Sequence, residues 1–341
     1  MKRLMFLLSG EHPTLPTAEA IAAIKAEHRA YKVIEQLDQV LITESKAKPD
    51  VLAARLGMCR AICRHLCTSN VDEILDAVGS SDIVDLIPHG KTFAVRVKRV
   101  KRYSSNVDAL KLAREIADLI ASEVEFKVDL AKPDVEILGV LTGSRCVIGL
   151  TAARVDRKQF KKRKPTTRAA FHPGTLMPLL ARCMVNLART PRGGTLLDPF
   201  CGIGGILIEA GLIGAKPIGV DISQEMIEGA KQNLDSAGIS DHQLVVGDAR
   251  QLQFTEVDAV ATDPPFGRQA TTAGQQLEEL YEQALPSIAG TLKRKGYVCI
   301  GSPAELELEG PAKDASLRLI ERHEQRVHKS LTRLIYVFRK K

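Results

Sequence analysis

TLLDPFCGIGGILIEAGLIGAKPIGVD, residues 195–221, contains two short apolar runs that each stop on an acid, Asp198 and Asp221. A glycine turn and a helix-length stretch lie between them. Strands that are apolar throughout, joined by helices, belong to a parallel sheet covered on both faces. The same rhythm continues outward: QLVVGD (243–248), VDAVATD (257–263) and GYVCIG (296–301), separated by helix-like stretches such as SQEMIEGAKQNLDSAG and QLEELYEQALPSIAGTL. The end of the chain, LRLIERHEQRVHKSLTRLIYVFRKK (317–341), reads as two strands around a basic turn, closing one edge of that sheet.

Four of these runs end on an acid: Asp198, Asp221, Asp248 and Asp263. Ligands of open parallel sheets bind outside the carboxyl ends of the strands, so these acids are expected to converge there. Gly202, Gly204 and Gly205 let the backbone turn tightly and approach a ligand without obstruction. A dinucleotide fingerprint requires a third glycine where Leu207 stands, which argues against a nicotinamide. Asp221 is placed to accept two ribose hydroxyls of an adenosine, and Asp248 to take its adenine amino group; the bland reading of both is turn formation after a strand.

Asp263-Pro264-Pro265-Phe266-Gly267 carries the chemistry. An aromatic exocyclic amine is a poor nucleophile, because its lone pair is delocalised into the ring. Asp263 can accept one amine hydrogen and a backbone carbonyl at Pro264 the other, which would turn the lone pair toward an electrophilic methyl group and offer a sink for the proton. Phe266 supplies a flat face for a planar base. Gly267 and residues 268–276 could form a lid.

The chain is long enough, at 341 residues, for two or three domains, and no apolar run approaches the ~20 residues that span a bilayer. The start, MKRLMFLLSGEHP, is too short in its apolar part for a signal peptide and reads as a first core strand; a cytoplasmic location follows. Seven scattered cysteines indicate thiols rather than a disulfide framework. Cys59, Cys63 and Cys67, at i, i+4 and i+8 in and just beyond a helix expected over 51–66, would share one helical face and line a buried stripe. No fourth ligand at familiar spacing supports a metal there, and none is assigned.

Residues 1–84 read as strand, helix, two strands and helix, a small ferredoxin-like unit. A second unit covers 85–153, where TFAVRVKRVKRY alternates Phe93, Val95 and Val97 with Arg96 and Lys98. Together with Arg99, Lys101 and Arg102 these form a basic strand edge with no acid beside them in sequence. Residues 154–170 read as a basic linker. Lys161, Lys162, Arg163 and Lys164 there are candidates for nucleic-acid contact or a solvated charge run. The net charge of +7 divides as +8 over residues 1–170 and −1 over 171–341, which places the polyanion-binding surface in the first half.

Residues 195–300 resemble the class I methyltransferases, Rossmann-like enzymes with a mostly parallel seven-stranded sheet. Asp-Pro-Pro-Phe is similar to the Asp/Asn-Pro-Pro-Tyr/Phe signature of the branch that methylates amino nitrogens. Residues 91–153 are similar to a THUMP domain, an RNA-binding module of tRNA-modifying enzymes. THUMP followed by Phe-His-Pro-Gly (171–174), Asp-Pro-Phe-Cys-Gly (198–202) and Asp-Pro-Pro-Phe-Gly-Arg (263–268) resembles the archaeal tRNA guanine-10 N2-methyltransferase family, over nearly the whole chain. The one departure is Phe266, where that family more often carries tyrosine; the stacking face is kept.

The resemblance implies S-adenosylmethionine as cofactor, held by His172, Pro173, Gly174, Asp198, Phe200, Gly202, Gly204, Asp221, Ile222, Asp248, Ala249 and Asp263. It implies Asp263, Pro264 and Phe266 as the catalytic set, and tRNA as partner, gripped by the basic residues above and by Arg268. A methyltransferase domain over 171–341 completes the expected architecture. The same tetrapeptide serves DNA adenine methylation, which the RNA-type module opposes. N2-methylation at another tRNA position or on ribosomal RNA would suit the same residues, as would a tRNA-binding protein without turnover. One methyl or two, and an accessory protein subunit, are not legible in the residues.

Overall fold

The computed structural model describes residues 2–28, 30–88, 90–123, 127–266, 277–328 and 331–341. The chain opens with β1 (Lys2–Leu8), α1 (Leu15–Glu27), β2 (Tyr31–Leu37), β3 (Val40–Ser45), α2 (Pro49–Arg55) and β4 (Cys59–Asn70). This is the βαββαβ order of a ferredoxin-like unit. The sheet continues through β5 (Thr92–Arg99), β6 (Lys127–Val128), β7 (Val135–Thr142) and β8 (Arg145–Arg154) into one eight-stranded layer, ordered β2-β3-β1-β4-β8-β7-β5-β6. Helices α3 (Ile74–Gly79) and α4 (Ala109–Glu123) supply Ile74, Val78 and Ile116 to a core shared with Phe93 and Ile137.

One expectation is corrected. Cys59, Cys63 and Cys67 lie on strand β4, not on a helix, because α2 ends at Arg55. Strand β4 pairs with β1 and β8, and its register on β8 shifts between Ile62 and Cys63 and between His65 and Cys67. Two bulges break the period of two that identifies a strand, leaving a spacing that imitates a helix. Cys63 is fully buried, and burial pushes its thiol up to about 12.

The chain does not divide at one point. One compact unit holds residues 1–11, 28–54 and 59–156; the other holds 12–27, 55–58 and 157–341, so that α1 belongs to the second unit. That unit continues with α5 (Lys158–Lys162), α6 (Pro178–Leu187), β9 (Thr195–Asp198), α7 (Gly205–Leu212), β10 (Lys216–Asp221), α8 (Gln224–Ser236), β11 (Gln243–Val246) and β12 (Val257–Thr262). Helix α9 (Leu277–Thr291), β13 (Leu292–Pro303), α10 (Glu309–Asp314), β14 (Leu317–His328) and β15 (Leu331–Lys340) complete it.

Its seven strands run β11-β10-β9-β12-β13-β15-β14; β9 to β13 are parallel, and β15 and β14 return antiparallel. Successive residues feed opposite faces, as the pleat requires. Leu196, Ala259 and Val337 pack with α1, α6 and α7, whereas Leu197, Val260 and Phe338 pack with α9 and α10. The strand order reverses at β9, which has β10 on one side and β12 on the other, opening a crevice at their carboxyl ends.

Buried charges stiffen this unit. Glu19 of α1 accepts hydrogen bonds from the backbone N–H groups of Gly57 and Met58 (3.0 and 2.7 Å) and from Asn186 (2.8 Å). Glu209 of α7, fully buried, takes two hydrogen bonds from Arg163 at 3.0 Å and an ion pair from Arg182 at 2.8 Å. A carboxylate this deep persists only when paired. Among the described residues no helix is long and apolar enough to cross a membrane.

Candidate active site

The crevice is built from the ends of β9, β10 and β12. Asp198 closes β9 and is buried; its Oδ1 accepts from the Thr262 hydroxyl at 2.6 Å and from the Phe200 N–H at 3.2 Å. Burial pushes its carboxyl up to about 7, against those two hydrogen bonds and with help from the carboxylates of Asp221 and Asp263. The turn that follows needs its glycines. Gly202 and Gly204 sit at φ +50° and +81°, and no atom lies within 4 Å of the place a Cβ would take at Gly202. The turn therefore offers bare backbone and open space, and Gly204 is the N-terminal cap of α7.

Asp221 ends β10. One carboxylate oxygen accepts the Gly202 N–H (2.9 Å) and the other the Ser223 N–H (3.0 Å), so each keeps acceptor capacity. Ile222 beside it is 63% exposed, an apolar surface at the rim. Asp248 is already engaged: Arg250 grips both its oxygens, which holds its carboxyl below the usual range. It borders a cleft of about 460 Å³ lined by Val220, Val245, Leu252 and Phe254, and Ala249 is buried behind it. His172, Pro173 and Gly174 form an exposed turn in which the His172 carbonyl accepts from Thr175.

Asp263 follows the last residue of β12. Its Oδ2 receives Arg333 of β15 at 2.9 Å, with both side chains close to nine-tenths buried. Its Oδ1 is buried and, among the described residues, has no hydrogen-bond partner. That oxygen lies against the backbone of Gly301, where a Cβ would stand 2.1 Å away, and the Gly301 carbonyl accepts from Tyr281 at 3.0 Å. Burial pushes the Asp263 carboxyl up to about 6, and Arg333 opposes the rise. Pro264 is buried, Phe266 half-buried, and the Arg333 guanidinium stacks 5.0 Å from the Phe266 ring centre. A cleft of about 390 Å³ opens here, lined by Phe266, Leu277, Pro303, Leu306 and Leu331.

Sequence reasoning missed Thr262, Tyr281, Gly301 and Arg333. The signal for Thr262 was its place before Asp263; Arg333, 70 residues away, carried none.

The basic residues are not the free edge their spacing suggested. Arg96 pairs with Glu136 at 3.1 Å and donates to the Leu130 carbonyl; Lys101 pairs with Asp38 at 2.6 Å. Arg99 donates to the Tyr103 carbonyl at 2.8 Å, which pins the loop that carries Arg102. These acids are remote in the chain and become neighbours only through the sheet. Burial and nearby arginines lower the Lys98 ammonium. In the 154–170 segment, Arg163 turns inward to Glu209, whereas Lys161, Lys162 and Lys164 are exposed. Arg268, Gly267 and the suggested lid lie outside the described residues, as does the centre of the basic turn after His328.

Carboxylates closing β9 and β10, a bare glycine turn at the switch point and this strand order define a class I methyltransferase fold. The match to solved structures agrees: TrmN from Thermus thermophilus aligns with a TM-score of 0.54 at 20% identity, over 99% of this chain and 100% of that one. The putative methyltransferase SMU.472, complexed with SAH, gives 0.51 at 15%, over 100% and 99%. Residues 165–335 match the RMKL-like methyltransferase domain family and residues 68–151 the THUMP domain. The chain is 38% identical to the tRNA (guanine(10)-N2)-dimethyltransferase of Methanothermobacter thermautotrophicus, over 98% of each. It is 34% identical to that of Methanocaldococcus jannaschii, over 98% and 99%. It belongs to the family of archaeal tRNA (guanine(10)-N2)-dimethyltransferases.

Proposed function

We propose that this chain transfers methyl groups from S-adenosylmethionine to N2 of guanosine 10 in tRNA, once and then again on the same nitrogen. The observation that carries the reading is Asp263 Oδ1: a buried acceptor without a donor among the described residues, just past the end of β12, beside the Phe266 cleft. A buried acceptor left unpaired is costly unless a ligand supplies the donor. A guanine amino group is such a donor.

The residues around β9 and β10 fit the cofactor. The open space at Gly202 admits its chain, Asp221 keeps acceptors for its ribose hydroxyls, and Ile222 offers an apolar face for adenine. Asp198 and the turn at His172–Gly174 would take its amino-acid end, and Asp248, engaged by Arg250, shapes the adenine cleft rather than reaching out. Bound there, the cofactor supplies an electrophilic methyl carbon on a sulfonium.

The chain's own part is positioning. Phe266 stacks the flipped-out base, since an amine inside folded RNA is otherwise paired or stacked. Asp263 Oδ1 accepts one N2 hydrogen and the Pro264 carbonyl the other, which aims the nitrogen lone pair. Asp263 then takes the proton that the methylated nitrogen sheds. The THUMP domain and the exposed lysines of and after α5 are the surfaces proposed to hold the tRNA.

Unmodified tRNA transcript treated with protein and cofactor, digested and analysed by mass spectrometry with position mapping, tests this. N2-methylguanosine and N2,N2-dimethylguanosine at position 10 are expected. Methylation elsewhere would overturn the position, and methylation undiminished in Asp263→Ala would overturn the assignment of the acceptor.

A further inference from the structure

Asp263 is a buried carboxyl, and burial alone would favour its neutral form, which can neither accept an amine hydrogen well nor take up a proton. Among the described residues the charged and titratable groups facing it are Arg333 from β15, Tyr281 from α9, Asp198 from β9 and Cys299 from β13. Arg333 is the cation of this set. Tyr281 gives its hydroxyl hydrogen to the Gly301 carbonyl, and Asp198 and any thiolate at Cys299 would only repel a second negative charge.

The guanidinium is fixed at two ends: one nitrogen donates to Asp263 Oδ2 at 2.9 Å, another to Gln325 Oε1 at 3.2 Å. Its central carbon also lies over the Phe266 ring, 5.0 Å from the ring centre. With Oδ2 engaged and Gly301 flush against Oδ1, the carboxylate has one orientation and, among the described residues, one vacant acceptor.

We propose that Arg333 is the positioning residue of the methyl transfer: it holds Asp263 as a carboxylate, presents Oδ1 to the guanine amine and steadies Phe266 from one side. This rests on Asp263 being the acceptor. By lowering the proton affinity of Asp263, Arg333 also lets the proton taken at Oδ1 leave to solvent, so that the carboxylate is restored before a second methyl is added to the same nitrogen.

Two measurements on the full chain test it. First, kcat/KM for tRNA methylation is followed from pH 5.5 to 9 for wild type, Arg333→Met and Arg333→Lys. The acid limb of Arg333→Met should move up by a unit or more, so that a loss of about threefold or greater at pH 6.5 shrinks toward pH 9; Arg333→Lys should keep the limb near wild type. A loss equal at every pH, or no loss, overturns the proposal. Second, the Asp263 carboxyl carbon is titrated by 13C NMR without tRNA, assigned by comparison with Asp263→Asn. Its midpoint should rise in Arg333→Met, and an unmoved midpoint overturns the proposal. Arg333→Gln replaces Arg333→Met in both if the latter does not fold. Should wild type methylate no tRNA, the reading of the function fails, while the titration still decides whether Arg333 holds Asp263 ionised.

Discussion

The two sheets treat their charges in opposite ways. In the eight-stranded sheet charge meets charge: Arg96 with Glu136, Lys101 with Asp38, Lys91 with Asp134. At the carboxyl ends of the parallel strands, Asp221 keeps spare acceptor capacity on both oxygens and, among the described residues, Asp263 Oδ1 has no donor. Saturated groups fix a local shape, whereas groups with spare capacity mark where a ligand is needed. Basic residues on and just after β5 already have acidic partners, and of the acids at the strand ends Asp248 is likewise engaged, by Arg250.

The strongest way to break this contrast is Asp263→Asn, which keeps the shape and removes the carboxylate. Steady-state methylation of tRNA should fall about a hundred- to ten-thousand-fold. The wild type should show the same requirement through pH: with Asp263 pushed up to about 6 and the deprotonated form active, kcat/KM should fall as pH drops through about 6 and level off above it. Glu209→Ala tests a saturated acid in the same unit. It leaves Arg182 and Arg163 buried without their partner, so chemical denaturation should show a loss of about 3–5 kcal/mol.

Gly301→Ala sharpens the comparison by crowding the vacant acceptor itself. With a Cβ at 2.1 Å, Oδ1 must move, and roughly a hundredfold in kcat should be lost, with overpacking costing about 1–3 kcal/mol of stability beside it. The smallest effect concerns RNA. Lys162→Ala, at an exposed position, should reduce the salt slope of tRNA binding by about one, measured by filter binding across a salt series. Arg96→Ala, already engaged, should reduce it less.

The seven-stranded sheet was legible because a doubly covered parallel strand must be apolar throughout, so β9 to β12 announce themselves and end on visible acids. The methyltransferase fold and the tetrapeptide at Asp263 followed from that. Strand β4 was illegible because its two bulges mimic helical spacing. Arg333 was illegible because it sits in a hairpin that reads as ordinary basic surface, and only the antiparallel return of β15 brings it to β12. The partners of Arg96 and Lys101 were hidden for the same reason.

Helix α1 has a consequence in time. Its Leu15, Ala18 and Ala22 pack in one cluster with Leu180, Ala181 and Met184 of α6, and its Glu19 bonds Asn186. These residues lie at the two ends of a long loop in sequence. At roughly 5–20 residues per second of synthesis, the apolar face of α1 waits on the order of ten to thirty seconds for the helix that covers it. The unit that carries the chemistry is started before the other is complete and closed last, a high-contact-order arrangement in which a nascent chain exposes a greasy helix unless something else shelters it.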